Sequence, residues 1–257
     1  MSEVIDPMLR GKLALGEVWD AGTPQRVYRG RINSSREWTA INNPTLTTGR
    51  VGTAYTFPNG ANARLEIARD NALWLPAKLT FSVWVRVVYN AWTAGRQWLT
   101  LIDVSGNQMH QLRIPMPGDL FGNPHYSVQY RYQDGASARV LNSSANLVTS
   151  GTWTHIVVQH DLTVGTSNLA RLWVNGVSYD STLTGLQQTM GLSSNVVINR
   201  ANDSSPVQTE VQVEQLMLFP GQILSSEDVL QIYNGGQGRA FGVHRVIPVE
   251  FSNSMIG

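Results

Sequence analysis

The stretch LTFSVWVRVV, residues 79–88, sets Phe81, Val83, Val85 and Val87 on one face of an extended chain and Ser82, Trp84 and Arg86 on the other. Period-two alternation of β-branched and aromatic residues marks a strand with one buried face. The pattern recurs in THIVVQHD (154–161), ARLWV (170–174), NVVIN (195–199) and VQVEQLMLF (211–219). Between Tyr126 and Tyr132 it sets tyrosines and Val128 against Ser127, Gln129 and Arg131. Tyr55–Phe57 and Arg64–Ile67 are weaker members. Gly, Asn, Ser, Asp and Pro separate these segments, the punctuation of antiparallel sheets in a sandwich or barrel. Asn175-Gly176, between two such segments, predicts a type I′ hairpin turn.

The one helix signal is LSSEDV, residues 224–229, with Ser225 as N-cap, acids in the first turn, and Leu224 and Val229 spaced as a hydrophobic staple. Val229, Leu230 and Tyr233 are expected to face the core, and Gly235-Gly236 to end a two-turn helix that plugs one end of the sandwich. The expected organisation is an N-terminal arm over 1–8, one domain over 9–236, and an extended C-terminal arm over 237–257. That last arm holds Val243, Val246, Ile247, Val249 and Phe251, too few apolar residues to bury themselves, so it is expected to lie on the domain or on a neighbour.

The 257 residues include no cysteine, which excludes disulfides, thiolate metal sites and a cysteine nucleophile. Charged residues make up only 14%, with a formal net charge of +1, so no concentrated basic face is expected for nucleic acid. Only Lys12 and Lys78 are lysine; the other basic residues are arginine, the residue of forked and stacked contacts. No window reaches the roughly 20 apolar residues of a membrane helix, and no membrane insertion is expected. The first residues lack a basic segment followed by an apolar one, giving the expectation of synthesis in the cytoplasm without a signal peptide. Asn33, Asn142 and Asn202 head N-x-S/T triplets and are read as turn residues.

Four segments in order resemble the laminin G-like, concanavalin A-like lectin/glucanase jelly roll. They are Gly49-Arg50-Val51-Gly52-Thr53-Ala54-Tyr55-Thr56-Phe57; Leu79 to Arg86; Trp153 to Asp161 followed by Ala170 to Gly176; and Val213 to Phe219 followed by Ile223 to Val229 and Ile232-Tyr233-Asn234. The similarity spans roughly Leu13 to Gly235. It implies an all-β fold: a two-sheet antiparallel jelly-roll sandwich, concanavalin A-like, with one short C-terminal helix. Glu214 stands where the family usually has Asp.

Three kinds of chemistry follow from the resemblance, each beside a plainer reading. Glu210-Val211-Gln212-Val213-Glu214 is similar to the E-x-D-x-E of retaining glucanases, with Glu210, Gln212 and Glu214 on one face. The middle acid is replaced by Gln, so the motif reads as the polar face of a strand and no catalytic residue is assigned. The family often holds calcium at the sandwich rim; Asp161 and Asp103 are the candidate ligands, with Asn107, Asn202 and Asp203 nearby, against ordinary Asx turns. His155 and His160, five apart, are expected on opposite faces and so are no metal pair. A ligand or interface face would use Trp84, Arg86, Arg131, Arg171 and Trp173, by ring stacking and guanidinium donors. The plainer reading packs those rings beneath loops or a flanking segment.

The expectation for function is a non-enzymatic structural or binding protein without a cofactor, calcium aside. Its proposed setting is a virion, as a bacteriophage head decoration or tail-fibre attachment protein. Expected partners are other virion proteins and itself, as a dimer or trimer, with a glycan possible. The alternative is a carbohydrate-binding lectin-like module, and the third class is a glycoside hydrolase.

Overall fold

The computed structural model describes residues 17–19, 39–58, 63–67, 77–89, 98–106, 108–115, 126–134, 137–163, 167–184, 192–200 and 209–238. The 1–8 arm, nearly all of the 237–257 arm, and Asn107, Asn202 and Asp203 lie outside these residues. The alternating segments form two antiparallel sheets. In the eight-stranded sheet, β13 (Val177–Thr184), β12 (Ser167–Val174), β11 (Trp153–Asp161), β6 (Lys78–Tyr89), β15 (Thr209–Pro220), β4 (Thr53–Phe57) and β3 (Thr45–Thr48) are neighbours in that order. β1 (Glu17–Trp19) pairs with the far half of β15. In the seven-stranded sheet the order is β10 (Ser137–Asn142), β9 (Gln129–Asp134), β8 (Gln108–Pro115), β7 (Trp98–Gly106), β14 (Leu192–Arg200), β5 (Arg64–Ile67) and β2 (Thr39–Ile41).

The inner faces pack together as alternation requires. Phe81, Val83, Val85, Ile156, Val158, Leu172, Val211 and Leu218 meet Leu112, Ile114, Tyr130, Tyr132, Val196 and Ile198 in one buried cluster. Burying each large apolar side chain contributes about 1.5–3 kcal/mol. The β12–β13 hairpin turns on Asn175 and Gly176, both at positive φ (50° and 79°), as a type I′ turn demands. Gly176 has a second constraint: a Cβ there would meet Tyr233 Cδ1 at 2.8 Å.

β15 breaks its own alternation. Gln215 adopts φ 47°, and pairing with β6 jumps from Glu214↔Trp84 to Met217↔Ser82. This bulge resets the parity. Val211 and Val213 face the main core before it, Leu216 and Leu218 after it, and Met217 and Phe219 turn to the opposite side.

Those outward residues explain the helix. α1 (Ser226–Tyr233) is capped by Ser225, and Asp228 completes a capping box. It does not plug an end of the sandwich. It lies on the outer face of the eight-stranded sheet, where Leu224, Val229 and Ile232 bury Val157, Trp173, Met217 and Phe219 in a second core. Val229 is buried as expected, but Leu230 is 48% exposed, and Ile232 takes the inward position.

Candidate functional site

The outer face of the eight-stranded sheet holds four of the residues singled out for ligand contact. Register aligns Glu214, Trp84 and His155 in one row and Met217, Ser82, Val157 and Trp173 in the next. Trp84 and Trp173 do share this face with Arg86 and Arg171, but α1 covers both rings, leaving them 1% and 5% exposed. Trp84 lies 4.8 Å from the His155 ring and stacks on Tyr233 at 6.1 Å. Trp173 Nε1 donates to Gln159 Oε1 (2.9 Å), and Gln159 Nε2 donates to the Leu224 carbonyl (2.8 Å). The Arg171 guanidinium sits over the Trp173 ring at 5.9 Å. Arg86 is half-buried; its Nε donates to the Gly151 carbonyl and Nη1 to Gln212 Oε1. The exposed stacking platform is therefore corrected: apolar residues of the helix outcompete solvent for these rings.

The carboxylates of the E-x-Q-x-E segment are engaged in the fold. Glu214 is 1% exposed and accepts backbone N–H groups of Arg50, Val51 and Gly52 in the β3–β4 turn. A Cβ on Gly49 would fall 2.3 Å from Glu214 Oε2, so glycine there makes the approach possible. Glu210 Oε1 accepts from Gln212 Nε2 (3.2 Å), whose own oxygen accepts from Arg86. The motif binds a turn and an arginine.

The two aspartates expected to share calcium are not brought together. Asp103 lies in the middle of β7, not in a rim loop, and points outward from the seven-stranded sheet. Asp161 ends β11 in the other sheet. It accepts from Thr163 N (2.8 Å) and Oγ1 (2.6 Å) and pairs with Lys78 Nζ at 3.1 Å. Burial alone would raise the Asp161 carboxyl; the Thr163 and Lys78 contacts prevail and hold it below its usual range. Among the described residues no three His, Asp or Glu side chains could hold a metal ion together, so neither aspartate is identified as a metal ligand.

A different surface gathers polar groups. On the outer face of the seven-stranded sheet, one row runs Val197, Asp103, Gln111, Arg131, Val140, and the adjacent row runs Thr100, Arg113, Gln129, Asn142. Asp103, Gln111, Arg113 and Gln129 are buried, Arg131 and Asn142 half-buried, and Val140 at the edge is 40% exposed. Gln111 Nε2 donates to Asp103 Oδ1 (3.2 Å) and Gln129 Nε2 to Asn142 Oδ1 (3.0 Å). Burial draws the Arg131 guanidinium below its ordinary range, while the Asp103 charge opposes that shift. Asp103 thus supports Arg131 across the sheet face.

The family model described as the concanavalin A-like lectin/glucanases superfamily, in its laminin G form, matches residues 59–229. The chain belongs to this superfamily. No curated protein matches the chain in sequence. Several solved binding domains share its fold at low identity. The botulinum neurotoxin serotype D ligand-binding domain, in complex with N-acetylneuraminic acid, has a TM-score of 0.66 at 14% identity, covering 88% of this chain and 52% of that one. The receptor-binding domain of botulinum neurotoxin mosaic serotype C/D has 0.65 at 12%, covering 87% and 51%. The binding domain of Paraclostridial Mosquitocidal Protein 1 has 0.60 at 12%, covering 78% and 47%. The chain spans about half the length of these solved chains, and at such identities the likeness concerns the fold.

Within the concanavalin A-like sandwich, the expected residues divide in a simple way. Trp84 and Trp173 belong to packing, Arg86 and Arg171 to the margin of that packing, and Arg131 and Asp103 to the polar face of the other sheet. Gln111 and Arg113 were not singled out from the sequence, and Asn142, expected in a turn, instead ends strand β10 paired with Gln129. The signal was present in QMHQLRIP (108–115), where His110, Leu112 and Ile114 alternate with Gln111 and Arg113.

Proposed function

We propose that this chain is a non-catalytic carbohydrate-recognition domain whose ligand lies on the outer face of the seven-stranded sheet. The observation carrying this reading is the accessible edge of that face, where the half-buried Arg131 and Asn142 lie beside the exposed Val140, backed by the buried polar side chains of Asp103, Gln111, Arg113 and Gln129. Sugar hydroxyls donate and accept together; guanidinium and amide N–H groups match the second role, carboxylate and amide oxygens the first. Arg131 and the exposed Val140 give access from the β10 edge. Membership of a lectin and glucanase superfamily supports the reading, as does a solved domain of this fold in complex with N-acetylneuraminic acid. The engagement of Glu210 and Glu214 in the fold supports recognition without hydrolysis.

Glycan-array binding tests it. Arg131→Gln should weaken binding about tenfold or more, the cost of a charge-assisted hydrogen bond, with an unchanged urea midpoint. Equal binding by the variant would exclude this face.

A finer reading sets the module on a virus particle, as a head decoration or tail-fibre attachment protein. Composition supports it: no cysteine, few charges and arginine in place of lysine match a surface partly buried against neighbours. Light-scattering mass of the purified chain tests it; a monomer at all concentrations would count against a self-assembling part.

A further inference from the structure

The main core contains a polar cluster unrelated to the proposed binding face. His110 on β8 and His160 on β11 come from opposite sheets, yet their rings stack with centroids 4.9 Å apart. The Tyr130 hydroxyl lies 2.5 Å from His110 Nδ1 and 3.0 Å from His160 Nδ1. Tyr132 meets the His110 ring edge-on at 4.7 Å. All four residues are at most 3% exposed. Tyr130 therefore bridges the two sheets through their core.

We propose that His110, Tyr130 and His160 form an acid-sensitive latch between the sheets, closed while both imidazoles are neutral. The argument is a proton count. One hydroxyl has one hydrogen to donate, so it accepts from one Nδ1–H and donates to the other Nδ1. The two rings must be opposite tautomers. A first added proton leaves the chain of hydrogen bonds intact but puts an ion in an apolar core. A second places two donors against one oxygen and two cations within stacking distance. The oxygen can accept both, but its own hydrogen then loses its Nδ1 acceptor and the two cations repel, so the sheets gain by parting to hydrate the rings.

The titratable groups that meet here are His110, His160, Tyr130 and Tyr132. Leu79, Val104, Leu112, Leu141 and Ala170 pair with them in register, Arg139 on β10 is paired opposite Tyr132, and Phe81 packs edge-on to Tyr130. Asp134 ends β9 two residues beyond Tyr132, paired with Gln108. Asp161 and Lys78 follow His160 on the opposite face of their sheet and bond to each other. Burial, and then the His160 charge, hold the His110 imidazole well below its ordinary range. A group depressed in the fold adds stability above its unfolded value, about 6.5, and loses it as pH falls below that value.

Urea unfolding of the whole chain between pH 7.5 and 5.0 tests the latch. Below about pH 6, a His110 imidazole kept neutral lowers the folding constant about tenfold per pH unit beyond all other groups. His160→Gln removes the neighbouring charge and one partner of Tyr130, and should flatten that dependence. His110→Gln, on the other sheet, should do the same if the first variant fails to fold. Tyr130→Phe should weaken the fold at pH 7.5 while keeping the steep acid dependence, since both rings stay buried. A histidine variant with the wild-type slope, or a Tyr130→Phe protein as stable as wild type at pH 7.5, would overturn the proposal.

Discussion

The backbone N–H of Val51 donates to both carboxylate oxygens of Glu214, at 3.0 Å to Oε1 and 3.2 Å to Oε2, tying the β3–β4 turn to the central strand β15. Arg50 and Gly52 donate to the same carboxylate, so one buried anion orders a whole turn. Glu214→Gln keeps the shape but removes the charge and an acceptor. It should cost about 1.5–3 kcal/mol in urea denaturation, the range for hydrogen bonds to charged groups. A variant as stable as wild type would show that the turn holds without the anion.

Trp84→Ala separates packing from recognition. The ring is 1% exposed and packs against both His155 and Tyr233, whose rings also stack on each other at 5.8 Å. Its loss should cost about 3–5 kcal/mol, read from the thermal or urea midpoint, while folded protein keeps its glycan binding. Binding lost with full stability would restore Trp84 as a contact residue.

The helix cap is a third test. Ser225 Oγ accepts the Asp228 N–H at 3.2 Å, and Asp228 Oδ2 accepts the Ser225 N–H at 2.8 Å. Ser225→Ala should destabilise by about 1 kcal/mol, measured as a shift in midpoint at unchanged denaturant slope.

His155 gives a pH signature of its own. Burial beneath α1 lowers its imidazole to about 3, and Ser82 Oγ lies 2.8 Å from its Nε2. With the folded value below the unfolded one, its contribution is complete above about pH 6.5 and drains away as pH falls toward 3. His155→Gln should flatten the acid dependence by one proton, about tenfold in the folding constant per pH unit. Equal slopes in variant and wild type would place a charged His155 in the fold.

Alternation in LTFSVWVRVV carried the two sheets, the inward row Phe81-Val83-Val85-Val87, and the common face of Trp84 and Arg86. It also put His155 and His160 on opposite faces, where the structure has one under the helix and the other in the core. Alternation does not reveal what lies above an outer face. Trp84 and Trp173 look identical in sequence whether water or a helix covers them. The Gln215 bulge was equally hidden, because VQVEQLMLF read at strict period two sends Leu216 and Leu218 to the wrong side. The polar face around Arg131 was partly legible, but which rows lie beside each other depends on register between strands distant in sequence. The latch escaped for the same reason, since His110, Tyr130 and His160 converge only when the sheets stack.

The bulge in β15 has a mechanical consequence. This strand supplies Val211, Leu216 and Leu218 to the large core and Met217 and Phe219 to the small one beneath α1. The two cores share a wall. The helix is therefore no appendage that can peel away at little cost: losing it hydrates one side of the strand on which both sheets' packing depends. Helix and sandwich should melt as a single cooperative unit.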